Sequence, residues 1–299
     1  MNGPGVLALV GPGRAGATVA FALVEQGWKV SAVAGRTPTA DSTLETATLL
    51  QAEVALVPDA ASGADLVIVA TPDAAVADTA ARAVVAAEPG ALMIHLAGSL
   101  GLAAFHGAQR FRSDVRYGAL HPLISIPSVQ EGIDRLSGGW AAVAGDPQVE
   151  VLARSIGLHP FPIADADRPR YHAAAAVAAN HLVALLGQVE RLARLCDVPF
   201  ESFLPLVRSA VDNAAELGPR SALTGPVSRG DAETVATHLA SLPDDELDTY
   251  RALAREAMRL SGRYDDLMAA VLFGDDELPD RITEYDSVPK SKDQEANDA

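Results

Sequence analysis

Val6-Leu-Ala-Leu-Val-Gly-Pro-Gly-Arg-Ala-Gly16, running on into Ala17-Thr-Val-Ala-Phe-Ala-Leu-Val24, reads as a buried strand, a glycine turn and the start of a helix. Gly11 permits the tight turn out of the strand, Gly13 lets the backbone approach a pyrophosphate, and Gly16 lets the new helix pack closely on the sheet. Arg14 and Ala15 sit where the first-turn amides face the phosphates. Glycines at this spacing are common by themselves. Here an apolar run precedes them, an amphipathic helix follows, and a second strand, Lys29-Val-Ser-Ala-Val-Ala34, comes at the expected distance. The stretch therefore places a dinucleotide cofactor.

About twenty residues past that motif, an Asp or Glu would accept hydrogen bonds from the adenosine ribose of NAD. The chain has Gly35-Arg36-Thr37 there instead. A carboxylate at that place repels a ribose 2′-phosphate, whereas a guanidinium pairs with it and stacks on the adenine. The expected cofactor is NADP(H), with Arg36 and Thr37 at the 2′-phosphate and Thr71, Pro72 and Ser99 at later strand ends.

A chain of 299 residues can hold two domains and a sizeable core. Its apolar stretches fall short of the roughly 18 residues a membrane span needs, and no basic segment precedes the first strand. These features predict a soluble, cytoplasmic protein with no membrane partner. A single cysteine, Cys196, leaves no internal disulfide and no cysteine-cluster metal site; in its apolar helical pattern it is expected to be a small buried hydrophobe. A net charge of −16 argues against nucleic acid, whose phosphates need a basic surface. Part of that charge is local: Asp275 to Ala299 carries nine acids against three bases. Residues 283–299 are expected to be a disordered acidic tail.

The N-terminal half alternates short apolar runs, Val6–Val10, Val30–Ala34, Leu66–Ala70, Leu92–Leu96 and Ala141–Ala144, with helix-forming stretches between the earlier ones. That alternation predicts an α/β, doubly wound parallel sheet over residues 1–165. Ligands in such sheets lie at the carboxyl ends of the strands. From Tyr171 to Asp197 the sequence reads as one alanine-rich helix, followed by further helices, so residues 166–282 form an all-α second domain. Gly218-Pro219 and Gly225-Pro226 mark breaks between helices, and Asp231 is a candidate N-cap. The cleft between two such domains is the expected active site.

Hydride transfer to a carbonyl needs a proton donor for the oxygen. Lysine is nearly absent: Lys29 starts the second strand, at the wrong end of the sheet, and Lys290 and Lys292 lie in the tail. The task falls to histidine, tyrosine or water ordered by them. His172, Ala176 and Asn180 fall within about an 80° arc of an α-helix and could line a cleft. His121, in Tyr117-Gly-Ala-Leu-His-Pro-Leu123, is expected to be exposed at a strand end. Asn213, Thr224 and Arg229 form a second polar group suited to a small carboxylate substrate. No cluster has metal-ligand spacing and no phosphate loop ending in Gly-Lys-Ser/Thr occurs, so neither metal chemistry nor ATP hydrolysis is expected.

Val10-Gly-Pro-Gly-Arg-Ala-Gly16, Ala119-Leu-His-Pro-Leu123, Tyr171-His-Ala-Ala-Ala-Ala-Val-Ala-Ala-Asn180 and Ala222-Leu-Thr-Gly-Pro-Val-Ser-Arg-Gly-Asp231 resemble a bacterial family that joins a Rossmann-like domain to a C-terminal domain of unknown function. The resemblance implies a helical domain of the 6-phosphogluconate dehydrogenase C-terminal type, a homodimer formed through the helices, and kinship with pyrroline-5-carboxylate reductase and deazaflavin-dependent NADP oxidoreductases. Some members are alternative ketopantoate reductases, which implies NADPH-dependent reduction of ketopantoate to pantoate. Better-known ketopantoate reductases carry Lys-x-x-x-Asn on the first helix of the second domain. Here the asparagine is Asn180 and the lysine position is Ala176, which leaves His172 as the preferred acid and Asn180 to orient the carbonyl or a water. Two alternatives stand beside this: reduction of imines or of a deazaflavin, and a non-catalytic NADP-binding sensor.

Overall fold

The computed structural model describes residues 4–262 and 265–273, so the expected tail at 283–299 lies outside the described residues. The chain divides between Leu182 and Val183 into two compact units. This division falls some seventeen residues beyond the boundary expected from the sequence, because the start of the alanine-rich helix packs with the first unit.

The first unit runs β1 (Val6–Val10), α1 (Arg14–Glu25), β2 (Lys29–Ala34), α2 (Asp41–Leu49), β3 (Glu53–Val54), β4 (Leu66–Val69), α3 (Asp73–Ala83), β5 (Leu92–His95), α4 (His106–Phe111), β6 (Arg116–Leu123), α5 (Val129–Leu136), β7 (Trp140–Gly145), α6 (Gln148–Ser155), β8 (His159–Pro162) and α7 (Arg168–Ala176). The sheet order is β3-β2-β1-β4-β5-β6-β7-β8. Its first six strands are parallel in the doubly wound order of a Rossmann-like fold, β7 runs antiparallel to β6, and β8 is parallel to β7. Both faces are covered. In β1, Leu7 and Leu9 pack with Val19 and Leu23 of α1, while Ala8 and Val10 join Val67, Val69 and Val76 on the opposite face. Strands buried on both sides need no polar alternation, which is why β1 and β4 read as unbroken apolar runs.

His121 is not at a strand end: β6 continues through Leu123, with His121 opposite Ala142 and Pro122 opposite Ala141. The proline is tolerated because β5 pairs only with Arg116–Ala119. Beyond that point β6 has one neighbour, and a missing N–H on its free side removes no ladder bond. His121 thus lies just past the carboxyl end of the parallel ladder.

α7 starts with Pro169 in its first turn and passes into a π-helical segment, Val177–His181, before α8 (Leu182–Leu195). The second unit continues with α9 (Leu204–Leu217), α10 (Pro219–Ala222), α11 (Pro226–Arg229), α12 (Ala232–Ser241), α13 (Asp244–Ser261) and α14 (Asp266–Phe273). Gly218 and Gly225 hold φ of 78° and 107° at the expected breaks. Asp231 caps α12 by accepting the Thr234 N–H at 3.1 Å. Glu246, buried on α13, is gripped by the Arg191 guanidinium, and its carbonyl accepts Gln188 Nε2 at 3.0 Å. Cys196 is exposed rather than buried, because the apolar helix ends at Leu195 and the cysteine falls in the following turn. The helical stretch Asp165–Leu195 is long and apolar enough to cross a membrane by length and composition, contrary to the sequence expectation. Its alanines raise the hydropathy, yet it also carries Tyr171, His172 and Asn180 on the wall of a cavity.

Candidate active site

The glycine turn has the three spatial properties its sequence predicts. Gly11 has φ of 96°, and a Cβ there would lie 2.6 Å from the Ala70 carbonyl carbon. A Cβ on Gly16 would lie 2.7 Å from Ala70 Cβ and 3.1 Å from Leu9 Cδ1, so only glycine lets α1 sit this close to the sheet. At Gly13 the same Cβ would meet nothing within 4 Å. The open side of Gly13 and the first turn of α1 form a cradle without an acidic side chain or a side-chain cap, which fits a pyrophosphate. Arg14 borders it and donates through Nη1 to the Pro127 carbonyl at 3.0 Å.

Arg36 and Thr37 follow β2 and are exposed. Thr37 is fixed through its carbonyl, which accepts the Thr43 hydroxyl at 3.2 Å. After β4, Thr71 Oγ1 is buried with no hydrogen-bond partner among the described residues. Ser99, after β5, donates to the carboxylate of Asp73 in the first turn of α3. These positions fit a dinucleotide laid across the carboxyl ends of β1, β2, β4 and β5.

Beside that line lies a cluster of rings. Tyr171 Oη is 2.8 Å from His121 Nδ1, and the two rings meet edge to face at 5.6 Å. His172 meets His121 edge to face at 5.5 Å, and its Nδ1 is buried without a partner among the described residues. Gly98, in the loop after β5, makes the cluster possible. A Cβ there would run into His172 Nδ1 and come within 2.8 Å of His121 Nε2. If the Tyr171 hydroxyl donates to Nδ1, a neutral His121 carries its own proton on Nε2, on the side facing Gly98.

Burial, then His172 and Arg168, push the His121 pKa down to about 4, with Asp73 opposing. Burial likewise holds His95 at about 4, although its ring bonds the Gly101 carbonyl at 3.2 Å. Tyr171 is pushed up to about 12 by burial. At neutral pH the cluster therefore contains a neutral His121 and a protonated tyrosine. His121, Tyr171, His172 and Asn180 line one cavity of about 730 Å³, with Arg14 at its edge and Pro122, Ile124 and the α7 alanines supplying apolar wall.

Asn213 on α9, Thr224 between α10 and α11, and Arg229 at the end of α11 belong to the second unit, where all three are exposed. Asp73 and Gly98 fall in the strand-end stretches Thr71-Pro72-Asp73 and Ala97-Gly98-Ser99, where the sequence already points to a ligand, whereas nothing in the sequence marks Tyr171 or Arg168 as site residues. Among the described residues, no group of three or more His, Cys, Asp or Glu is placed to hold a metal ion.

Residues 6–95 match a family described as "Putative NAD(P)-binding", and residues 141–257 match "Domain of unknown function (DUF2520)". The sequence resemblance pairs the same two modules. Among solved structures, the chain is similar to a "putative NADP oxidoreductase" of Bacteroides fragilis, at 25% identity and a TM-score of 0.72 over 85% of this chain and 97% of that one. It shares its fold with a pyrroline-5-carboxylate reductase of Coxiella burnetii, at 15% identity and a TM-score of 0.53 over 88% of this chain and 100% of that one. A reductive aminase of Aspergillus terreus, in complex with NADPH and ethyl-5-oxohexanoate, is 19% identical with a TM-score of 0.54, over 91% of this chain and 92% of that one. A comparison with curated proteins finds no match. The chain is an NAD(P)-binding protein of the oxidoreductase fold type.

Proposed function

We propose that this NAD(P)-binding fold, joined to a DUF2520 domain, is a soluble, cytoplasmic NADPH-dependent reductase of a small 2-keto acid, with ketopantoate the first substrate to try. The observation that carries the reading is the convergence of Tyr171, His121 and His172 over Gly98, on the wall of the cavity that also holds Asn180. Bound along the strand ends, NADPH would supply hydride to the carbonyl carbon. The chain's own part is to orient that carbonyl and supply the proton. Asn180 orients the oxygen through its side-chain amide, and His172 delivers a proton as negative charge grows there. Tyr171 and His121, 2.8 Å apart on the same wall, form a second proton-holding pair. Arg36 pairs with the 2′-phosphate of the cofactor, and Arg14 at the cavity edge suits a carboxylate.

His172→Ala is expected to lower kcat at least about tenfold while leaving NADPH affinity nearly unchanged. Turnover at the wild-type rate in that variant would remove His172 from the mechanism. A second reading is reduction of an imine: with His121 neutral, no imidazolium on that ring opposes a cationic iminium at the cavity wall. The fold likeness to a reductive aminase agrees with that alternative.

A further inference from the structure

Arg168, the first residue of α7, is fully buried, with 0% of its surface exposed. Nε, Nη1 and Nη2 all lack a hydrogen-bond acceptor among the described residues. Its ion-pair partner, Asp165, is 3.9 Å away through Oδ1 and nearly half exposed, while Asp165 Oδ2 accepts the Leu102 N–H at 2.7 Å. Asp165 therefore ties α7 to the loop after β5 and leaves the guanidinium poorly matched. A buried charge without hydrogen bonds is costly to the fold.

The placement of that charge gives it a use. Positions 168, 171 and 172 are i, i+3 and i+4 on one helix, so Arg168 shares a face with Tyr171, bonded to His121, and with His172, closed over Gly98. The groups around His121 are Tyr171, His172 and Arg168 on α7, His95 on β5 and Asp73 on α3. Asp73 is exposed and screened by solvent, whereas Arg168 is not. The fixed charge that acts with least attenuation on the ring cluster is therefore positive.

We propose that Arg168 is a positioning residue whose buried charge, one helical turn from Tyr171, favours release of a proton from the Tyr171–His121 pair. The field works in the same direction on both ring types: it opposes protonation of His121 and of His95, and it counters the burial that makes Tyr171 a weaker acid. The consequence for catalysis rests on the reductase reading; the effect on the histidines does not.

The test is an imidazole NMR titration of the full chain without cofactor, in wild type, Arg168→Met, Arg168→Gln and Arg168→Lys, with His121→Gln used to assign the resonance. Arg168→Met and Arg168→Gln are expected to raise the His121 midpoint by about one pH unit, and Arg168→Lys to keep it near wild type. Thermal unfolding at neutral pH separates this from a structural role. Because no hydrogen bond is lost, Arg168→Met should melt at or above the wild-type temperature. Unmoved histidine midpoints in the neutral variants overturn the proposal, and a lower Tm alongside them makes Arg168 a structural residue. With a substrate in hand, Arg168→Met should lower kcat about tenfold with KM for NADPH unchanged. If no carbonyl or imine is reduced by wild type, the reductase reading fails, while the titration still decides the role of Arg168.

Discussion

At position 98 one absent carbon lets two imidazoles share a site, since a Cβ would strike His172 Nδ1 and crowd His121 Nε2. The glycines of the β1 turn act by the same exclusion, but there the sequence spacing announces it, whereas Gly98 has no motif around it. Arg36 is the opposite case: an exposed side chain after β2, read from its distance past the glycine turn. If it grips the 2′-phosphate, Arg36→Ala should weaken NADPH binding roughly ten- to hundredfold and leave NADH within about twofold. Isothermal titration with both cofactors measures this, and an equal loss for the two would refute the account of cofactor choice. His172 and Asn180 were legible because they lie on one helix. Tyr171–His121 and Arg168 were not, since their meaning comes from partners fifty residues away or from burial that composition does not reveal.

Elements were legible where one physical rule dominated. The strands buried on both faces, β1, β2, β4, β5 and β7, are runs of small and branched apolar residues, and the sequence placed each to within a residue or so. β6 was hidden by Gly118, His121 and Pro122, and β8, His159-Pro-Phe-Pro162, by two prolines that only an edge strand tolerates. The π-helical turn before α8 has no sequence signature, yet it carries Asn180. β5 and β6 also set how the fold responds to acid. His95 and His121 titrate near 4 when folded, against 6.5 for an unperturbed histidine. Between those values the unfolded chain binds more protons, so their contribution is full above about pH 6.5 and is lost as the pH falls towards about 4. For fully buried His95 the loss is on the order of 3 kcal/mol. Urea unfolding between about pH 7 and about pH 5 should show a falling midpoint, and His95→Gln should flatten that fall. A midpoint that stays level in wild type would mean that His95 is protonated in the folded protein.

For the whole molecule, the α/β unit followed by an all-helical unit was visible as a change from alternating short runs to a continuous helical pattern. The second unit leaves Val183 and Leu195 on α8, and Leu206, Val211 and Leu217 on α9, more than half exposed. Apolar surface of that extent on neighbouring stretches of chain supports a homodimer. Light scattering after gel filtration should therefore give twice the 31.0 kDa chain mass, and a monomer at micromolar concentration would contradict this. The central claim, that the chain reduces a small carbonyl with NADPH, is tested most directly by following NADPH absorbance when purified protein meets ketopantoate, with NADH and a cyclic imine in parallel. The account predicts substrate-dependent loss of NADPH, well above that of NADH. Tight NADPH binding with no loss on ketopantoate would contradict it, and loss on the imine alone would move the chemistry to the C=N bond.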